Sequence, residues 1–406
     1  MDFLLTPELS SLRKQVRAFV DEHIIPNEQQ IVREDQEKNA LRDPRPGETD
    51  TLTRLRAMTR ERGLYTPHLP KEYGGLGLGP MGMAALFREM GRSFVGAAAF
   101  HCDAPDQGNM DLLLRAGSPA VKAQWLMPLV KAEITSGFAM TEPAPGAGAD
   151  PSNLRTAATK DGDDWVIDGH KWYTTGGGAA SVLIVMARTS EDPKMGATMF
   201  VVDRHAKGVE HVRDIPVMAP PLLAHREAEM KFHGVRVKED AILGGVGEGF
   251  RMAQARLVPA RLTHCMRWLG LCDRALDMCK PYILSRVSFG KELARHQAIQ
   301  KMVADAVVGM HAGNLMTLHC AQMLEQGKDK EARPYSSMAK NHVAQLLVKL
   351  LDDAIQMHGG LGISEDLPFS TWYRFARSAR IADGPDEVHT MVVARDYLRG
   401  AVETLV

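Results

Sequence analysis

Trp165-Val166-Ile167-Asp168-Gly169-His170-Lys171 separates this chain from an all-helical protein. Its β-branched and aromatic residues favour a strand, and its Asp-Gly pair is a strong hairpin signal. Similar texture continues on either side. Ser181-Val182-Leu183-Ile184-Val185-Met186-Ala187 and Thr198-Met199-Phe200-Val201-Val202 are apolar runs of strand length. Ala228-Glu229-Met230-Lys231-Phe232-His233 alternates with the period of a half-buried strand. The pattern predicts a small antiparallel barrel or sandwich over residues 134–240.

Helical periodicity flanks this block. Thr6 followed by Pro7-Glu8-Leu9 reads as a cap-then-proline helix start, with Leu12, Val16, Phe19 and Val20 on one face. The polar stretch Asp35 to Thr51 reads as an exposed loop or insertion. Gly74 to Pro80 reads as a glycine-rich turn; its Gly75-x-Gly77 lacks the preceding apolar strand that a dinucleotide fingerprint needs. Helices are expected from Ala253 to Ser285, with Pro259 as an early interruption, from Gln297 to Glu325, and from Ser336 to Met357, ended by Gly359-Gly360. The organisation is therefore a helical region 1–133, a β-region 134–240 and a helical region 241–406. The fold class is mainly α with a middle antiparallel β-domain.

The 406 residues, with 45% hydrophobic and 24% charged, fit a globular protein of two or three domains. A net charge of −1 offers no global field for nucleic acid or an anionic membrane. No run approaches the about 18 apolar residues of a membrane span. Met1 to Thr6 lacks the basic start of a signal peptide. Cys265, Cys272 and Cys279 fall on one helical stripe, a packing pattern rather than a metal site or disulfide framework. A reducing, cytoplasmic setting is expected.

Four segments could carry chemistry. Phe138-Ala139-Met140-Thr141-Glu142-Pro143, running on to Asp150, lets a ligand approach main-chain N–H groups and adds the Thr141 hydroxyl. Lys171-Trp172-Tyr173-Thr174, before Gly176-Gly177-Gly178, either lays an indole against a flat ring or forms a hairpin with a core Trp. Arg286-Val287-Ser288-Phe289-Gly290-Lys291 with His296-Gln297 either grips phosphate or forms a solvated helix end. Gln356-Met357-His358-Gly359-Gly360 is a helix end whose glycines admit another chain or a cofactor; His358 has no partner at zinc spacing. Then comes Ile381-Ala382-Asp383-Gly384-Pro385-Asp386-Glu387-Val388-His389, which puts a carboxylate on a turn. Asp383 either caps the next helix or abstracts a proton.

In order and spacing, these segments resemble the acyl-CoA dehydrogenase family over nearly the whole chain. The resemblance implies a helical N-terminal domain, a middle β-barrel and a C-terminal four-helix bundle. It implies FAD, with Phe138, Met140, Thr141, Trp172 and Thr174 on its flavin part. Arg286, Phe289, Gln297, Gln356, Gly359 and Gly360 would hold the pyrophosphate and adenosine, mainly of a neighbouring subunit's FAD. A homodimer, usually paired into a homotetramer, follows. Arg261 falls where the family places a substrate-contacting Arg. The implied reaction is α,β-dehydrogenation of an acyl-CoA thioester, the opening chemistry of fatty-acid β-oxidation. Asp383 would be the base, and an electron-transfer flavoprotein the acceptor.

The chain departs from the family pattern in several places. Asp383-Gly384-Pro385 replaces the usual Glu-Gly-Thr, so the base is one methylene shorter. Ala149 replaces a Ser in a longer flavin loop, and Val258 stands where an Asp often precedes the substrate Arg. Ala382 is small, which suggests a roomier pocket. The Asp-Gly-Pro-Asp-Glu-Val-His string resembles a subgroup associated with long, branched or 4-hydroxylated acyl-CoA. Its eukaryotic members carry a phosphotransferase-like domain ahead of the dehydrogenase. Two other readings share this fold: a nitroalkane oxidase-like enzyme, which also uses Asp, and a flavin-bearing DNA-associated protein. The charge balance speaks against the second.

Overall fold

The computed structural model describes residues 5–40, 49–192, 196–223 and 225–402. The amino-terminal region holds helices α1 (Pro7–Phe19), α2 (Glu28–Ala40), α3 (Asp50–Glu61), α4 (Pro80–Met90), α5 (Gly96–Ala99), α6 (Asp106–Ala116), α7 (Pro119–Val121) and α8 (Met127–Val130). Thr6 caps α1 through Leu9 N–H at 3.3 Å, as its sequence suggests, and Val16 and Phe19 are buried. The stretch from Asp35 is helical as far as Ala40, and Asp50 and Thr51 open α3, so those parts of the expected loop are corrected: Asp35 is buried against Arg226 at 3.2 Å, while Gln36 and Glu37 are exposed. Residues 41–48 of that loop, and residues 1–4 of the expected leader-free start, lie outside the described residues.

The sheet contains β1 (Ser136–Ala139), β2 (Ala157–Asp161), β3 (Asp164–Thr175), β4 (Val182–Arg188), β5 (Ala197–Asp203), β6 (Val209–Asp214), β7 (Glu227–Lys238) and β8 (Ile242–Leu243). The order is β6-β7-β3-β2-β4-β5-β8, with β1 on β4. Most pairs are antiparallel, but β1 and β2 run parallel to β4, so the sheet is mixed.

The hairpin expected at Asp168-Gly169 is corrected. β3 runs straight through it, and the turn lies at Gly162-Asp163, where Gly162 takes φ +63°. Asp168-Gly169 is instead a register shift against β7. Glycine is needed there because a Cβ would sit 2.3 Å from the Thr156 hydroxyl.

The carboxyl-terminal region is helical again: α9 (Gly249–Ser285), α10 (Gln297–Glu325), α11 (Asp329–His358), α12 (Gly360–Ile363), α13 (Phe369–Ala376) and α14 (Asp386–Leu398). Pro259 does not interrupt α9, contrary to the sequence reading, and Pro281 and Pro334 also sit inside helices. An interior proline costs about 3 kcal/mol. Leu262, Cys265, Met266, Leu269, Cys272 and Cys279 of α9 are buried. At about 1.5 to 3 kcal/mol for each large apolar side chain, burial outweighs the two prolines. No helix among the described residues is long and apolar enough to cross a membrane.

Candidate active site

Asp383 sits on the turn before α14, with φ +54°. Asp tolerates this left-handed region better than most side chains. It does not cap α14: the cap position is Pro385, and no side chain bonds there. Gly384 follows at φ +109°, where a Cβ would come 2.9 Å from His389 Nε2.

Three groups grip this turn. Arg261 Nε of α9 donates to the Asp383 carbonyl at 2.9 Å, and Lys340 Nζ of α11 donates to the Gly384 carbonyl at 2.6 Å. His264 Nε2 of α9 lies 3.2 Å from Asp383 Oδ2. Among the described residues the main-chain N–H of Asp383 has no acceptor. Burial pushes the Asp383 carboxyl up, but His264, Arg256 and Arg261 together hold it well below the usual range. Burial lowers Lys340 to about 8, opposed by Asp386 and Asp383.

The first glycine-rich segment lies beside this turn. Arg256 of α9 stacks 4.0 Å over the Phe138 ring, and its Nε donates to Asn109 at 2.9 Å. Asn109 in turn donates to Ser136 of β1 at 2.9 Å. Five positions along α9 therefore lead from the contact with β1 at Arg256 to the contact with the Asp383 turn at Arg261. Met140 and Thr141 follow β1, and the Thr141 carbonyl accepts from Trp172 N–H of β3 at 3.0 Å.

Beneath them is a buried ion pair. Lys171 Nζ donates to Glu142 Oε1 and to the Met140 carbonyl, both at 2.9 Å. Glu142 also accepts N–H bonds from Ala147, Arg155 and Thr156. Burial raises its carboxyl, but Lys171 and these donors lower it to about 2. The pair rivets the loop to β3. Thr174 is fully buried, and its Oγ1 has no hydrogen-bond partner. An orphaned buried hydroxyl two residues along β3 from Trp172 fits a polar ligand group at this strand end.

The remaining predicted residues lie elsewhere. Arg286, Gln297, Gln356, Gly359 and Gly360 are exposed, and Phe289 is 94% exposed with φ +51°. They share one end of the bundle: the Tyr282 ring of α9 stacks on His358 of α11 at 4.3 Å. Arg261 and Arg286 are about 37 Å apart at roughly 1.5 Å of rise per residue. One chain thus joins Asp383 to Arg261, gathers Phe138, Met140, Thr141, Trp172 and Thr174 at β1 and β3, and links the two groups through Arg256. It keeps the Arg286–Gly360 group apart.

Three family profiles match in sequence order. They are described as "Acyl-CoA dehydrogenase, N-terminal domain" (residues 6–133), "middle domain" (137–232) and "C-terminal domain" (247–398). "Probable acyl-CoA dehydrogenase FadE2" of Mycobacterium tuberculosis is 36% identical over 98% of this chain and 97% of its own length. This chain belongs to the acyl-CoA dehydrogenase family.

"Acyl-CoA dehydrogenase family member 11" of Gallus gallus is 34% identical over 94% of the chain; this chain spans about half, 49%, of that relative's length. Among solved structures, a glutaryl-coenzyme A dehydrogenase bound to glutaryl-CoA superposes with TM-score 0.83 at 28% identity, covering 99% of this chain and 98% of that one. Butyryl-CoA dehydrogenase of Megasphaera elsdenii gives 0.82 at 26% identity, covering 98% and 100%. Acyl-CoA dehydrogenases are oxidoreductases, and the mainly α architecture with its middle sheet is theirs.

In this acyl-CoA dehydrogenase, the sequence reading missed Arg256, His264, Asn109, Lys340 and the Lys171–Glu142 pair. Arg256, Arg261, His264 and Arg267 are polar residues in a helix whose Cys stripe marks it as buried, and that was a usable signal. Lys340 and Asn109 had none.

Proposed function

We propose that this protein is an FAD-dependent dehydrogenase of acyl-CoA thioesters in which Asp383 removes the α-proton. The observation that carries the reading is the gripped turn at Asp383, linked through Arg256 to Phe138 on the strand that leads to Met140 and Thr141. There an ionised carboxylate and a free main-chain N–H come from the same residue. Phe138, Met140, Thr141, Trp172 and Thr174 would hold the flavin part of FAD. When bound, FAD supplies the acceptor for the β-hydride.

The α-hydrogen of a thioester is a weak acid, so its carbonyl must be polarised as charge develops. The unpaired N–H of Asp383 is suited to receive that carbonyl, a contact worth about 3 to 4 kcal/mol in comparable oxyanion sites. Arg261 and Lys340 pull the two turn carbonyls inward and so aim that N–H outward. Substrate entry dries the site and moves the Asp383 carboxyl up toward working pH, which strengthens it as a base. Arg256 lies between Phe138 and Asp383, alongside the path of an acyl chain. A cavity of about 410 Å³ opens near it, lined by Asp111, Leu112, Leu114 and Arg115 of α6 with Ala255 and Pro259 of α9.

The separated group Arg286, Phe289, Gln297, Gln356, Gly359 and Gly360 would hold the nucleotide part of a second copy's FAD, making a homodimer or homotetramer. We place the chain in the cytoplasm, with three domains over 1–133, 134–240 and 241–406 and an electron-transfer flavoprotein as acceptor. Long, branched or 4-hydroxylated acyl groups are the proposed substrates. Anaerobic titration of the yellow holoprotein with a panel of these acyl-CoAs and a nitroalkane tests the reading. Bleaching by an acyl-CoA supports it; bleaching by the nitroalkane alone assigns the other branch of the fold.

A further inference from the structure

We propose that His264 is the positioning residue of the base: its Nε2–H holds Oδ2 of Asp383, and Arg267 locks the ring in the tautomer able to do so. The proposal rests on the acyl-CoA dehydrogenation reading above.

The tautomer follows from donor chemistry. Arg267 Nη2 lies 2.8 Å from His264 Nδ1. A guanidinium only donates, so Nδ1 accepts and the ring proton stays on Nε2. Nε2 faces the Asp383 carboxylate at 3.2 Å. Arg267 is itself fixed by the Cys102 carbonyl at 3.2 Å and Asp103 Oδ1 at 3.3 Å. The other Asp103 oxygen meets His225 Nε2 at 2.9 Å, just before β7. Trp268 stacks on the His264 ring at 5.2 Å with 17° between planes. The ring therefore has a wall and a partner on each nitrogen, and the chain of contacts runs from the base to the sheet.

His264 completes the grip on the turn. Arg261 takes the Asp383 carbonyl, Lys340 takes the Gly384 carbonyl, and His264 takes one carboxylate oxygen. Oδ1 is left to receive the α-proton, and the main-chain N–H to receive the substrate carbonyl. A short Asp has fewer side-chain torsions than Glu, so one donor suffices to orient it. The same donor favours the ionised form when substrate dries the cleft.

Several groups face Asp383 and bear on its titration. Arg256, Arg261 and His264 come from α9, Lys340 from α11 and His389 from α14, while Arg267 of α9 and Asp103 from the loop before α6 act on His264. Burial lowers His264 despite its contact with Asp383, so it donates as a neutral ring. All the cations among these groups persist when His264 is replaced, so a change in pH profile reports the lost donor.

The test is stopped-flow anaerobic flavin reduction of the holoenzyme by its best acyl-CoA, from pH 5 to 9, in wild type, His264→Leu and His264→Gln. Flavin content and melting temperature are measured alongside. The Leu variant is expected to lose reduction at the acid side, with its limb moved up by about one pH unit or more, a tenfold change in ionised fraction. Gln, which keeps an N–H at the Nε2 position, should restore most of the wild-type profile. Coincident Leu and wild-type profiles overturn the proposal while leaving the dehydrogenase reading intact. Absence of bleaching by any acyl-CoA in wild type overturns both. Should the Leu variant not retain FAD, histidine ¹⁵N NMR of wild-type holoenzyme decides: a neutral Nε2–H tautomer supports the proposal, and Nδ1–H overturns it.

Discussion

At its middle, α9 buries Arg261 and His264 against Asp383; just beyond its end, Arg286 and Phe289 stand in solvent. The first region is crowded with complementary groups. Arg261, His264 and Lys340 all reach the Asp383 turn. The second has an exposed aromatic ring, an exposed guanidinium and two glycines, Gly359 and Gly360, where an added Cβ would meet nothing within 4 Å. A ring 94% exposed gains nothing from burial in the lone chain. The contrast teaches that one helix carries two halves of different sites. The buried half finds its partners within the chain, and the exposed half is the part proposed to meet a second copy and its nucleotide.

The largest effect should come from the buried half. Asp383→Asn removes the proposed base and is expected to slow flavin bleaching by about 10² to 10⁴-fold while the protein stays yellow. Spectra before and after acyl-CoA addition check this. Unchanged bleaching would break the contrast at its centre.

Lys171→Met comes next. It leaves Glu142 charged and buried, at a cost of about 3 to 5 kcal/mol less what three main-chain donors offset. The melting temperature should fall and FAD should leak. Glu142→Gln added to it should recover part of the loss, because the uncompensated charge is gone.

Phe289→Ala sharpens the other side. At an exposed position, stability of the lone chain should move within about 0.5 kcal/mol. Flavin retention and the dimer fraction should nonetheless drop, read by flavin quantitation across a size-exclusion peak. A fall in stability with full flavin would assign Phe289 to packing instead.

The smallest effect is a sign change at Thr174. Thr174→Val removes an unpaired buried hydroxyl, so the apoprotein should gain up to about 1 kcal/mol. The holoprotein should lose by a similar amount if that hydroxyl meets the flavin. Paired melts with and without FAD give both signs.

Much of this contrast could be read before folding. The α–β–α order, the helix starting at Gln297, and the turn carrying Asp383 follow from local periodicity and from Gly and Pro placement. The Asp168-Gly169 misreading has a specific cause: the pair signals a turn, but Thr156, just before β2, demands a glycine there for space. Pro259 was misread because tertiary burial of α9 overrides a local cost. The grip on the base turn was illegible for another reason. Lys340 and Arg261 act through main-chain carbonyls of residues far away in sequence, and no spacing rule encodes that. Nor does sequence distance reveal that Asp383 packs against the middle of α9 while Arg286 lies just beyond its end.

The most direct test pairs two dead variants. One chain carries Asp383→Asn with its Arg286–Gly360 end intact; the other keeps Asp383 but carries Arg286→Ala with Phe289→Ala. Co-expressed and purified as the mixed dimer through two different tags, they should regain acyl-CoA-dependent flavin bleaching, with one competent site per pair. A mixed dimer as inactive as either parent would contradict a site shared between the buried middle of one α9 and the exposed end of another.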